Sequence, residues 1–113
     1  MSDCVFCALL GTEILVEDDL ARAFFDKYPV SKGHVLIVPK RHAESFFEAT
    51  QEEKVSVIEL LTKVKEQLDE RFHPDGYNIG VNVGEVAGQT IFHWHVHVIP
   101  RYHGDAGSVR WHT

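Results

Sequence analysis

HWHVHV, residues 93–98, alternates three histidines with Trp94, Val96 and Val98 inside a β-forming run. A strand turns successive side chains to opposite faces, so His93, His95 and His97 are expected on one face and Trp94, Val96 and Val98 on the other. The apolar set marks a half-buried strand, and that burial fixes which way the imidazoles point. Residues i and i+2 lie about 6.6 Å apart along a strand, and i and i+4 about 13 Å. One tetrahedral metal ion could therefore take two of the three histidines but hardly all of them. At least one imidazole needs another task. A neutral imidazole is a good nucleophile towards phosphorus, and His95, flanked on both sides, is the candidate for a covalent two-step displacement.

Just upstream, NVGEVAGQT (82–90) offers Asn82, Gln89 and Thr90, with glycine-turn amides, as neutral donors for phosphate oxygens. YNIGVNVG (77–84) and FHWHVHVIPRY (92–102) read as two strands, and the composition of EVAGQT between them suggests a hairpin loop. Further back, Thr50 with Glu53 is a capping-box pattern, and Val57, Leu61, Val64, Leu68 and Phe72 recur at helical spacing. One amphipathic helix is expected there, stopped at HPDG (73–76), where Pro74 cannot continue it. Before the helix, EILV, a strand near Ala21–Phe25 and a strand near His34–Val38 ending at Pro39 complete the reading, with a short helical turn in KRHAESFFEA (40–49). Meandering strands with one inserted helix make an α+β pattern.

At 113 residues the chain suits one compact domain spanning 1–113. Its net charge of -6 opposes binding to DNA or RNA duplexes, which needs a basic surface. No apolar run approaches the roughly 20 residues of a membrane helix, and no secretory leader pattern is present, so no membrane partner and a cytoplasmic location are expected. CVFC, at residues 4–7, carries both cysteines at a spacing shared by metal ligands and redox pairs. A thioredoxin-type pair follows a strand, and none precedes Cys4, which weakens the redox reading.

GQTIFHWHVHVIPRY (88–102) and DKYPVSKGHVLIVPKRH (26–42) together resemble the two hallmark segments of the histidine triad (HIT) family, in order and with the helix in the right gap. The resemblance covers nearly the whole chain. It implies a HIT-like fold, an antiparallel sheet of about five strands with one long helix and short helical turns, and a homodimer in which two sheets join. It implies a hydrolase or transferase acting at the α-phosphate of purine nucleotide conjugates, phosphoramidates or dinucleoside polyphosphates, through a nucleotidyl-His95 intermediate. By the same resemblance His97 contacts phosphate and helps move a proton, and His34 supports the nucleophile. Asn82, Gln89 and Thr90 hold phosphates, Asp26 binds ribose hydroxyls, and Phe6, Leu9 and Phe24, with Val5 beside them, form an apolar base pocket. For Val5 and Leu9 ordinary core packing is an equal alternative.

Some members of the family carry CxxC with two further histidines, and here those positions are Cys4, Cys7, His42 and His93. The resemblance thus implies a structural zinc site closed by four protein ligands. Asn82 is similar to the phosphoramidase branch, whereas HVIPRY looks more like the dinucleotide-cleaving branch. The competing reading from another class is a nucleotide-binding sensor or scaffold dimer with vestigial catalysis.

Overall fold

The computed structural model describes residues 4–8 and 13–105. In chain order these form α1 (Val5–Ala8), β1 (Ile14–Glu17), β2 (Ala21–Phe25), β3 (Val35–Pro39), α2 (Gln51–Phe72), β4 (Gly76–Gly80) and β5 (Val96–Arg101), with 3₁₀ turns at Phe46–Glu48 and Glu85–Ala87. The strands make one antiparallel sheet in the order β1-β2-β3-β5-β4. The α+β architecture expected from the pattern is therefore present, with one long helix and short helical turns.

β3 is central and its five residues, VLIVP, are all buried, as a strand covered on both faces requires. Its alternation divides the core. Val35 and Ile37 join Ala21, Ala23, Val96, Val98 and Trp94 under the helix residues Val57, Leu60, Val64 and Leu68. Leu36 and Val38 face the other way, with Phe24 and Phe6. One sheet face is thus the core, and the opposite face is left for side chains of another kind.

The Thr50–Glu53 capping box is formed in both directions, satisfying two amide donors that the first turn would otherwise leave orphaned. Glu53 also receives Arg41 Nε at 2.8 Å, and that partner holds its carboxyl below the usual range. The helix ends with His73 in the left-handed region at φ 51, as expected of a residue in the stopping turn. Leu60, not Leu61, is the fully buried leucine of the middle turn.

The last strand is shorter than its sequence pattern. Pairing of β5 with β3 begins at Val96, opposite Ile37, so His93, Trp94 and His95 precede the regular strand. The ladder stops two residues before β3 ends: Pro39 has no N–H to offer β5, and the Lys40 amide turns to Leu20 O at 2.7 Å. Trp94 N instead donates to Ala43 O at 2.9 Å. Alternation of faces persists through this stretch, since Trp94 lies in the core with Val96 and Val98. β4 likewise ends at Gly80 rather than Gly84, so a long excursion, not a tight hairpin loop, joins the two antiparallel neighbours.

Candidate functional site

His97 lies on β5 between Leu36 of β3 and Gly80 of β4, on the face away from α2. His95 sits one step earlier, its ring centroid 5.0 Å from that of His97 and 4.9 Å from Phe6. Phe6 in turn packs edge-on against Phe24 at 5.5 Å. His34 enters from the residue before β3, after a turn in which Gly33 adopts φ +89. A Cβ at Gly33 would stand 2.9 Å from the Phe72 ring, so glycine is needed there on both counts. His34, His93, His95 and His97 are all buried, an unusual density of imidazole for a protein core.

Hydrogen-bond partners assign the protons on all four rings. Val30 N–H donates to His34 Nδ1 at 3.1 Å, so the His34 proton resides on Nε2. That Nε2–H lies 3.0 Å from His97 Nδ1, which must accept, leaving the His97 proton on Nε2. His95 Nδ1 is 2.8 Å from His93 O; a carbonyl only accepts, so Nδ1 carries the proton and Nε2 the lone pair. His93 Nε2 donates to Pro39 O at 2.7 Å, leaving its Nδ1 as the basic atom. The site therefore presents a nucleophilic nitrogen on His95 and a neutral N–H donor on His97. Burial, reinforced by His95 and His34, pushes His97 down to about 3, and burial also lowers His34 against the opposing pull of Asp26.

Asp26, at the end of β2, accepts Tyr28 N–H on Oδ1 at 2.9 Å and turns Oδ2 to within 3.6 Å of His34 Nε2. Asp26, His34 and His97 are close enough to hold a cation. The Val30 amide argues against it, because it makes His34 Nε2 a donor instead of a ligand.

Cys4, Cys7, His42 and His93 are different. Their ligand atoms lie within 4.8 Å of one another, and His93 Nδ1 is 3.3 Å from Cys4 Sγ and 3.4 Å from Cys7 Sγ. His42 Nδ1 is 3.5 Å from Cys7 Sγ. A tetrahedron with Zn–S near 2.3 Å and Zn–N near 2.05 Å has S···N edges of about 3.6 Å, so the four residues fit zinc. The Pro39 carbonyl, by accepting from His93 Nε2, supplies the outer hydrogen bond that keeps Nδ1 available. Burial raises the Cys4 thiol and lowers His93. Cys4 precedes α1 and Cys7 lies within it, His42 follows β3 and His93 precedes β5, so the cluster ties three separated segments together.

The phosphate-donor candidates divide. Asn82 has a buried Nδ2 with no hydrogen-bond partner among the described residues, next to Gly88, whose φ is +104. A Cβ on Gly88 would come 3.5 Å from that nitrogen. Thr90 is exposed. Gln89 is buried and fully engaged: its Oε1 accepts Gly84 N–H at 2.8 Å, and its Nε2 donates to Glu44 O at 2.8 Å and Ile91 O at 3.0 Å. One N–H holds the 84–89 turn against the segment that follows His42 and the other is taken by Ile91 O, so the side chain shapes the loop and both donors are engaged. Val5 is exposed, whereas Phe6 and Phe24 are buried; Leu9, Trp111 and His112 lie outside the described residues.

Two residues on this face were not singled out from the sequence. Arg22 and Arg101 each have a buried guanidinium nitrogen without a partner among the described residues. Strand alternation could have found Arg101, which falls on the same face as His97 and Ile99. The Val30 amide left no sequence signal.

Comparison with known proteins agrees in family and fold. The HIT domain family matches residues 10–104. The chain is 38% identical over 98% of its length to a protein named hit from Bacillus subtilis (strain 168), covering 80% of it. It is 35% identical to an adenosine 5′-monophosphoramidase of Schizosaccharomyces pombe, over 96% of this chain and 82% of that one. It is also 35% identical to an adenylylsulfatase of Arabidopsis thaliana, over 92% of this chain and 55% of that one. Among solved structures, a HIT family protein from Bacillus anthracis superposes with a TM-score of 0.89 at 35% identity, over 99% of this chain and 83% of that one. A zinc-bound histidine triad family protein from Mycobacterium smegmatis superposes with a TM-score of 0.86 at 34% identity, over 96% and 81% respectively.

Proposed function

Because the chain belongs to the HIT domain family, we propose that it hydrolyses purine nucleotide conjugates at the α-phosphate, with His95 Nε2 as the attacking atom. The observation that carries this reading is the 2.8 Å bond from His95 Nδ1–H to His93 O, which makes Nε2 the lone-pair nitrogen of the neutral ring. In the first step Nε2 forms a bond to the α-phosphorus as the bond to the leaving group breaks, and that group departs with the electron pair. In the second step water attacks the same phosphorus, the N–P pair returns to Nε2, the proton that water loses passes to the solvent, which protonates the departed group, and a nucleoside monophosphate is released.

His97 Nε2–H and the Asn82 amide supply hydrogen bonds to the phosphoryl oxygens as charge grows on them. His34 sets the His97 tautomer and touches no substrate. Asp26 accepts from ribose hydroxyls, and Phe6 and Phe24, with Leu9, receive the base. Thr90 adds a hydroxyl at the loop, and Gln89 holds that loop in place. Relatives named as an adenosine 5′-monophosphoramidase and an adenylylsulfatase support nucleotide hydrolysis with differing leaving groups.

Cys4, Cys7, His42 and His93 would hold zinc; with all four positions closed, the metal supplies fixation and no chemistry at phosphorus. Residues 1–113 act as one HIT domain, and two copies join through the β4 edge of the sheet, where Ile79 is half exposed. No helix among the described residues is long and apolar enough to cross a membrane.

Wild type and His95→Ala are to be incubated with adenosine 5′-phosphoramidate and with diadenosine tetraphosphate, following both by mass-resolved chromatography. The variant should lose hydrolysis of whichever substrate the wild type consumes, while nucleotide binding persists. Equal rates would remove His95 from its role, and binding without turnover in either protein would favour the sensor reading.

A further inference from the structure

The catalytic face of β4 carries Asn78 between two glycines. By register, Gly80 lies beside His97, Asn78 beside Ile99 and Gly76 beside Arg101. A Cβ at Gly76 would meet nothing within 4 Å. On this face β5 runs from the His97 donor past the buried Ile99 to Arg101, whose Cα lies two strand repeats, about 13 Å, further on.

The Arg101 side chain does not continue away from the site. Its Nε donates to Asn78 Oδ1 at 2.7 Å, which brings the guanidinium back to the level of Ile99, one repeat from His97. His34 stands across β3 at that same level, since Val35 pairs with Val98, and the Arg101 charge contributes to the lowering of His34. Among the described residues Arg101 has no ion pair, and its buried Nη2 has no hydrogen-bond partner. A guanidinium offers five donors in a planar fork suited to phosphate oxygens, and a chain of net charge -6 has many carboxylates that could have met it. It lies instead on the sheet face that carries His97, one strand repeat away.

We propose that Arg101, held by Asn78, is a second anion subsite one strand repeat beyond His97, and that it binds a phosphate on the leaving side of the substrate. The site then selects nucleotides joined to a further phosphate chain over conjugates with a single phosphate. This rests on the His95 reading for the position of the first phosphate. It also accommodates the two opposed sequence signals, because Asn82 serves the scissile phosphate and the arginine of HVIPRY the next.

The test compares kcat/KM of wild type, Arg101→Gln and Arg101→Lys for diadenosine tetraphosphate and adenosine 5′-phosphoramidate. Calorimetric titration with inorganic tripolyphosphate is run alongside. A hydrogen-bonded charge of this kind contributes about 1.5–3 kcal/mol, so Arg101→Gln should cost roughly 10- to 100-fold on the tetraphosphate. The phosphoramidate should change little, and Arg101→Lys should fall between. A parallel loss on both substrates, or none on either, overturns the subsite. If the wild type turns over neither substrate, the His95 reading fails separately, and tripolyphosphate then decides: weaker binding to Arg101→Gln supports the subsite and equal binding overturns it. Should Arg101→Gln not fold, Arg101→Lys carries the same comparison, because the ammonium keeps the charge and loses the fork.

Discussion

His34 has no room for a second proton. Its Nδ1 is occupied by the Val30 amide and its Nε2–H by His97 Nδ1, so protonating either ring breaks a buried hydrogen bond. His97, held down to about 3 when folded and near 6.5 when unfolded, binds fewer protons in the native state between those values. Its contribution to stability is therefore complete above about pH 6.5 and is lost as pH falls towards 3, at up to about 1.4 kcal/mol per pH unit. Urea unfolding at pH 7, 6 and 5 should show this slope in wild type and a shallower one in His97→Asn; an unchanged slope would contradict the proton assignment. The sequence carried the histidine row, because period 2 against Trp94 and two valines leaves little choice of face. It could not carry the tautomers, which depend on Val30 N, His93 O and Pro39 O, backbone atoms that every residue possesses. For the same reason Gln89 looked like a phosphate donor until the carbonyls of Glu44 and Ile91 were found on its amide.

Three segments far apart in the chain meet at the cysteine–histidine cluster: the α1 turn, the stretch after β3 and the stretch before β5. Each lies outside the sheet ladder, so the cluster holds what the sheet does not. His93 bridges the two parts of the site, since its ring belongs to the cluster and its carbonyl sets the His95 proton. Protein loaded with zinc should lose thermal stability on chelation, with Tm falling about 4 °C for each kcal/mol withdrawn, and Cys4→Ser should reproduce the loss without chelator. An unchanged Tm on both counts would mean that the cluster is not a metal tie. At this scale α2 was legible to its first residue, because a capping box and a five-turn apolar stripe agree. The start of β5 was not, because Val96 begins the strand opposite Ile37, short of a proline on the neighbour that has no N–H to pair, and pairing partners cannot be read from one strand alone.

The whole molecule is a sheet with two unlike faces. One buries valines, alanines and Trp94 under α2; the other sets four buried imidazoles, an asparagine and two arginines around the packed rings of Phe6 and Phe24. Burial, which usually excludes such groups, is what lowers His34, His93 and His97. The β4 edge remains open, and pairing with a second copy would cover its backbone groups and Ile79. Sedimentation should give a dimer for wild type and a monomer for Ile79→Asp; a monomeric wild type would refute edge pairing.

The most direct test of the account is the mass of the protein itself during turnover. Rapid quenching of wild type with whichever nucleotide conjugate it consumes, followed by intact-mass and peptide analysis, should show one added nucleotidyl group on the peptide containing His95, and none in His95→Ala. Turnover with no such adduct, or an adduct mapped to another residue, would contradict the nucleophile on which the reading stands.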